Sequence, residues 1–119
     1  MRAPKFSPKA WKTPNSYSRN FSRLPDDPGV YAIVDVRVDQ ASAGIEHDVL
    51  YIGMSKNIRR RITSPHRVLS ELRKRYGHLA VYFKQVSGAL RVVEGKLIQA
   101  FRPPYNIDGV PRGGRLQPA

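Results

Sequence analysis

The chain contains no cysteine, which excludes a disulfide framework, a thiolate metal site and a cysteine nucleophile. Any metal would have to be held by carboxylate, imidazole, carbonyl or water. No stretch approaches the roughly 18 apolar residues of a membrane span, and the N-terminal MRAPKFSPKAWK lacks the apolar segment of a secretory signal. A soluble, cytoplasmic protein with no membrane partner is expected. Acidic residues are scarce, 9 against 21 lysines and arginines, for a net charge of +12. Such an excess is the electrostatic footprint of phosphate-backbone binding, a property ribosomal proteins share. Otherwise the composition is ordinary: 119 residues, 40% hydrophobic and 25% charged, enough to fold one core with short flanking segments.

The positive charge is clustered. Residues 1–25 carry six basic residues and no acidic one, interleaved with Phe6, Trp11, Tyr17 and Phe21. Four prolines and little periodicity mark this segment as an irregular arm, which either orders on a partner or packs its aromatics back onto the domain. Lys56, Arg59, Arg60, Arg61, Arg67, Arg73, Lys74 and Arg75 form the second cluster, against Glu71 alone. Residues 107–119 read as a flexible tail, leaving 26–106 as the domain.

Within it, apolar residues at every second position from Val30 to Val38 predict a strand. A polar stretch, 39–47, leads into a second short strand, DVLYIG over Asp48–Gly53, joined as an antiparallel hairpin. Ile58 and Ile62 predict a helix capped by Ser55 or Asn57. Ser64 and Pro65 restart it, serine as cap and proline at the first helical position, with Val68, Leu69, Leu72 and Tyr76 on one side. Leu79–Val86 is a third strand, and 89–102 the clearest helix, ended by Pro103 and Pro104. The order β-β-α-α-β-α predicts a small α+β domain with a three-stranded antiparallel sheet flanked by helices.

Glu94 is out of place in that last helix. At about 100° per residue from Leu90, Val93 falls near −60°, Leu97 near −20°, Phe101 near 20° and Ile98 near 80°, with Glu94 at about 40° among them. An unpaired carboxylate on an apolar stripe costs several kcal/mol or becomes neutral. Either a nearby arginine meets it in a salt bridge, or it binds a metal at the edge of a cleft.

Gly29-Val30-Tyr31, Tyr51-Ile52-Gly53, Asn57 and Arg61, Glu94, and Pro104-Tyr105-Asn106 resemble, in order and spacing, the GIY-YIG nuclease family, over roughly Pro28 to Asn106. The resemblance implies hydrolysis of DNA phosphodiester bonds with one divalent ion, Mg²⁺ or Mn²⁺. Glu94 would be the metal ligand, and Arg61, about −60° from Ile58, would stabilise charge on the phosphate. Tyr31 would be the general base and Tyr51 would orient the water, or the reverse; a cation must lower the phenol pKa. Asn106 would position a tyrosine or the backbone. Lys56, Arg59, Arg60, His66, Arg67, Arg73, Lys74 and Arg75 would contact nucleic acid. Met54 stands where some relatives carry a lysine, and His66 lies near, not at, the place where several carry an active-site histidine. His47 and His78 read as loop residues.

The alternatives are a non-catalytic nucleic-acid-binding module that keeps the fold, and an RNA-structural protein of ribosomal type. No separate DNA-reading domain is expected within these residues, so a partner subunit, a homodimer or a preference for DNA shape would supply specificity.

Overall fold

The computed structural model describes residues 24–107 together with Phe6, Ser7 and Trp11; the rest of the basic arm and the 108–119 tail lie outside the described residues. Past the Asp26-Asp27-Pro28 bends the chain enters β1 (Gly29–Asp39). This strand lies at the centre of an antiparallel sheet of order β2-β1-β3, with β2 at Gly44–Ser55 and β3 at Leu79–Gln85. Helices α1 (Ile58–Thr63) and α2 (Arg67–Arg73) connect β2 to β3, and α3 (Leu90–Phe101) follows β3. This is the α+β order expected, with one addition, a short α4 at Pro104–Ile107.

A central strand is covered on both faces, and β1 is buried from Gly29 through Val36. Its alternation sorts two cores. Tyr31 and Ile33 join Leu79, Val81 and Phe83 beneath Ile58, Ile62, Val68, Leu69 and Leu72 of α1 and α2. Val30, Ala32, Val34 and Val36 join Ile52, Ala80 and Tyr82 beneath Leu90, Val93, Leu97, Ile98 and Phe101 of α3. Each fully buried side chain of this kind contributes about 1.5–3 kcal/mol. Phe6 and Trp11 complete the second core. Phe6 meets Tyr82 edge-on at 5.1 Å, and Lys84 lies 4.9 Å above the Trp11 ring. At these two residues the arm packs back onto the domain.

Register is broken once. Ile33 pairs with Tyr51 but Val34 pairs with Val49, so Leu50 is an extra residue in β2. The bulge turns Leu50 and Tyr51 toward the same core, whereas plain alternation would put them on opposite faces.

Two expectations are corrected. β2 begins at Gly44, so most of the polar 39–47 stretch is strand, closed by a tight turn around Ser42. Beyond β3 the hairpin is a two-stranded ribbon with solvent on both faces, so polar side chains fit it. Arg37 there gathers Asp35, Glu46 and Asp48. The second correction concerns α2, whose N-cap is His66; Ser64 instead ends α1 and Pro65 precedes the cap. The first helix is capped as expected, Asn57 Oδ1 accepting from the Arg60 N–H at 2.9 Å.

Candidate active site

The two motif glycines are where the chain needs no side chain. Gly53 faces Tyr31 across the β1–β2 ladder, and a Cβ there would lie 2.4 Å from Cζ and Oη of Tyr31. The phenol lies over the glycine. At Gly29 a Cβ would stand 2.2 Å from the Lys84 carbonyl oxygen and 2.7 Å from Ile58 Cδ1, so its absence lets α1 and β3 close on the start of β1.

Tyr31 is buried, 1% exposed, and its hydroxyl lies 2.7 Å from His66 Nε2. The His66 ring stands edge-on to it, 5.7 Å between centroids, and is itself 4% exposed. His66 Nδ1 accepts the Leu69 N–H at 3.2 Å, which caps α2. Burial, reinforced by the positive charge of Arg61, pushes the imidazole pKa down to about 4. Sequence reasoning placed His66 among the DNA contacts; here it is a buried partner of Tyr31. The legible signal was its position three residues before Leu69, a capping position in a helix that starts one residue later than serine and proline suggest.

Tyr51 lies beside Tyr31, ring centroids 6.5 Å apart, and is half-buried. Burial raises the Tyr31 phenol well above its ordinary range, with Tyr51 and Glu94 adding to the rise; the charge and hydrogen bonding of Arg61 oppose it. Tyr51 is raised by burial and then by Glu94, against Arg61 and Arg67. Two phenols, Glu94, Arg61 and Arg67 therefore share one electrostatic neighbourhood, although they come from β1, β2, α3, α1 and α2.

Glu94 is only partly buried, flanking the residues of α3 that pack on the sheet. Burial raises its pKa and Arg91, one turn earlier, opposes the rise; among the described residues it joins no ion pair. It is not the neutralised core acid that a buried salt bridge would have made. The described residues hold no cluster of three or more metal-ligating side chains. One accessible carboxylate suits a hard cation that keeps most of its water, as Mg²⁺ does, rather than one needing a protein cage.

Asn106 clamps the second motif from outside. Its Oδ1 accepts the Ile52 N–H at 2.7 Å and its Nδ2 donates to the Ile52 carbonyl at 2.9 Å, as a further strand would. Arg102, in the left-handed region at φ 48°, turns the chain from α3 toward α4, which delivers this amide. Of the expected nucleic-acid contacts, Lys56, Arg59, Arg60, Arg67, Arg73 and Lys74 are exposed on or beside α1 and α2, and Arg75 is half-buried. Arg59 pairs with Asp26, and Lys74 with the buried Glu71 at 3.3 Å.

The fold and site define a small α+β domain in which two adjacent tyrosines, from β1 and β2, lie within electrostatic reach of an arginine and a glutamate. The chain is similar to UvrABC system protein C of several bacteria. It is 30% identical to that of Synechococcus sp. (strain JA-3-3Ab) over 104 residues, covering 81% of this chain and 15% of that protein. With that of Sphingopyxis alaskensis it shares 33% over 92 residues, 71% of this chain and 13% of the relative. With that of Rhodospirillum rubrum it shares 29% over 90 residues, again 71% and 13%. The chain thus spans a small fraction of the length of these curated relatives. No family model matches the sequence, and no solved structure does. Among the described residues no helix is long and apolar enough to cross a membrane.

Proposed function

We propose that this chain is a GIY-YIG-type endonuclease domain that hydrolyses DNA phosphodiester bonds. The observation that carries the reading is the shared neighbourhood of Tyr31, Tyr51, Arg61 and Glu94, brought together from four separate elements. The similarity to UvrABC system protein C supports it.

In this reading Tyr31 is the general base. Arg61 opposes the burial-driven rise of its pKa, and further positive charge at the site would have to complete that lowering before the phenol oxygen takes the proton of the attacking water. Tyr51, half-exposed, orients that water. Arg61 stabilises the charge that builds on the phosphate as the P–O bond breaks. Glu94 would hold one Mg²⁺ or Mn²⁺, which supplies Lewis-acid stabilisation of the phosphate and leaving oxygen. The exposed basic side chains of α1 and α2 track the backbone. Specificity comes from DNA shape, a second copy or a partner subunit.

The test is plasmid nicking by the purified chain with Mg²⁺ or Mn²⁺. Glu94→Gln and Arg61→Ala should each lower the rate at least about 100-fold, with DNA binding largely kept. DNA that is bound tightly but left whole by the native protein would make this a binding module instead, and unchanged cleavage by Glu94→Gln would overturn the metal assignment.

A further inference from the structure

We propose that His66 is a positioning residue for Tyr31: its role as the cap of helix α2 locks the imidazole into the Nε2–H tautomer, and that N–H holds the phenol oxygen. The consequence for cleavage rests on the function proposed above; the tautomer does not.

A neutral imidazole has one N–H and one lone pair. The Leu69 N–H points at Nδ1 from 3.2 Å, and a backbone donor at the start of a helix is satisfied only by an acceptor. Nδ1 is therefore bare and Nε2 carries the proton. At 2.7 Å from the Tyr31 hydroxyl, that N–H donates and the phenol oxygen accepts. Arg61, which has donors only, bears on the same oxygen. With that N–H directed at it, and the charge of Arg61 bearing on it as well, Tyr31 must send its own O–H, or as phenolate its remaining lone pair, in another direction. The arrangement thus aims Tyr31 as well as anchoring it.

The groups facing His66 are Tyr31 from β1, Arg61 from α1 and the Leu69 N–H from α2. A second proton on the ring would sit on Nδ1, against the Leu69 N–H, so the cap and the tyrosine contact require the neutral ring together. Its low pKa agrees with this.

Two measurements test the proposal. In ¹⁵N-labelled protein at pH 7, His66 should show a bare Nδ1 and a protonated Nε2, and the Nε2–H signal should move in Tyr31→Phe. An Nδ1–H tautomer, an imidazolium, or a signal indifferent to Tyr31→Phe would overturn the assignment. In plasmid nicking, His66→Asn keeps a capping oxygen for Leu69 but is too short for Tyr31. Its kcat should fall about 10–100-fold with KM for DNA little changed, the loss expected for one buried hydrogen bond. His66→Gln, whose amide N–H₂ reaches further, should recover part of that rate. A His66→Asn variant that raises KM alone would return His66 to the DNA-contacting set and sink the proposal. Native protein that does not nick would end the nuclease reading, and the spectra would still decide the tautomer.

Discussion

Gly53→Ala should damage this protein far more than a glycine-to-alanine change in a strand ordinarily does. The added methyl would stand 2.4 Å from Cζ and Oη of Tyr31 and 2.9 Å from Cε1, whereas carbon contacts settle at about 3.5–4.0 Å. The ring must retreat by about 1 Å, yet it is 1% exposed and its hydroxyl is held at 2.7 Å by His66. Overpacking of this kind costs about 1–3 kcal/mol, and losing the hydroxyl contact about 1 kcal/mol more. Against this stands a gain of about 0.5–1 kcal/mol from a stiffer unfolded chain. The net loss is about 1–3 kcal/mol, read in urea denaturation or as a fall in Tm of about 4 °C per kcal/mol for a domain of this size. The decisive control is Tyr31→Ala: in that background Gly53→Ala should cost nothing or stabilise slightly. An equal loss in both backgrounds would show that the glycine is needed for some reason other than the phenol.

Asn106→Ala should lose about 1–2 kcal/mol through its two hydrogen bonds to Ile52, and Asn106→Asp should not rescue it, because a carboxylate cannot donate to the Ile52 carbonyl; melting unchanged by Asn106→Ala would refute the clamp. For pH, the unfolded chain protonates His66 near its ordinary 6.5 but the folded protein only near about 4, so this residue's contribution is intact above 6.5 and is lost as the pH falls toward 4. That difference is worth at most roughly 3 kcal/mol. Asp35 and Glu94, raised in the folded state, act in the opposite direction. The comparison is therefore between native protein and His66→Asn, whose stability should depend less steeply on pH between 4 and 6.5; identical slopes would contradict the assignment. Trp11→Ala should lower stability by about 2–4 kcal/mol, since the ring is 6% exposed in the second core, and an unaltered melt would mean that the arm is dispensable to the fold.

Much of this was legible before any coordinates. The period-two set beginning at Val30 marked β1 because Val30, Ala32, Val34 and Val36 form the one continuous face that packs in the second core, and the Asn57 cap and the end of α3 at Pro103 follow from local chemistry. Less legible was whatever depended on contact between distant segments. The ribbon half of β2 is polar because solvent bathes both sides, so it carries no hydrophobic period. His66 caps α2 where Ser64 and Pro65 offered a more familiar signal, and its second role needs β1 beside it. Glu94 showed in the sequence as an anomaly on an apolar stripe, but its proximity to both phenols required the sheet and α3 to be assembled.

The extra residue at Leu50 separates the hairpin into two mechanically distinct halves. Upstream of it, pairing runs in one phase out to the ribbon tip; downstream, the YIG segment runs in the other, pinned by Asn106 and by the phenol over Gly53. Lengthening or shortening the tip by matched pairs would therefore leave the orientation of Tyr51 untouched. Deleting Leu50 itself would force one half to invert, and evolutionary or engineered variation should be tolerated toward the tip and resisted at this single insertion.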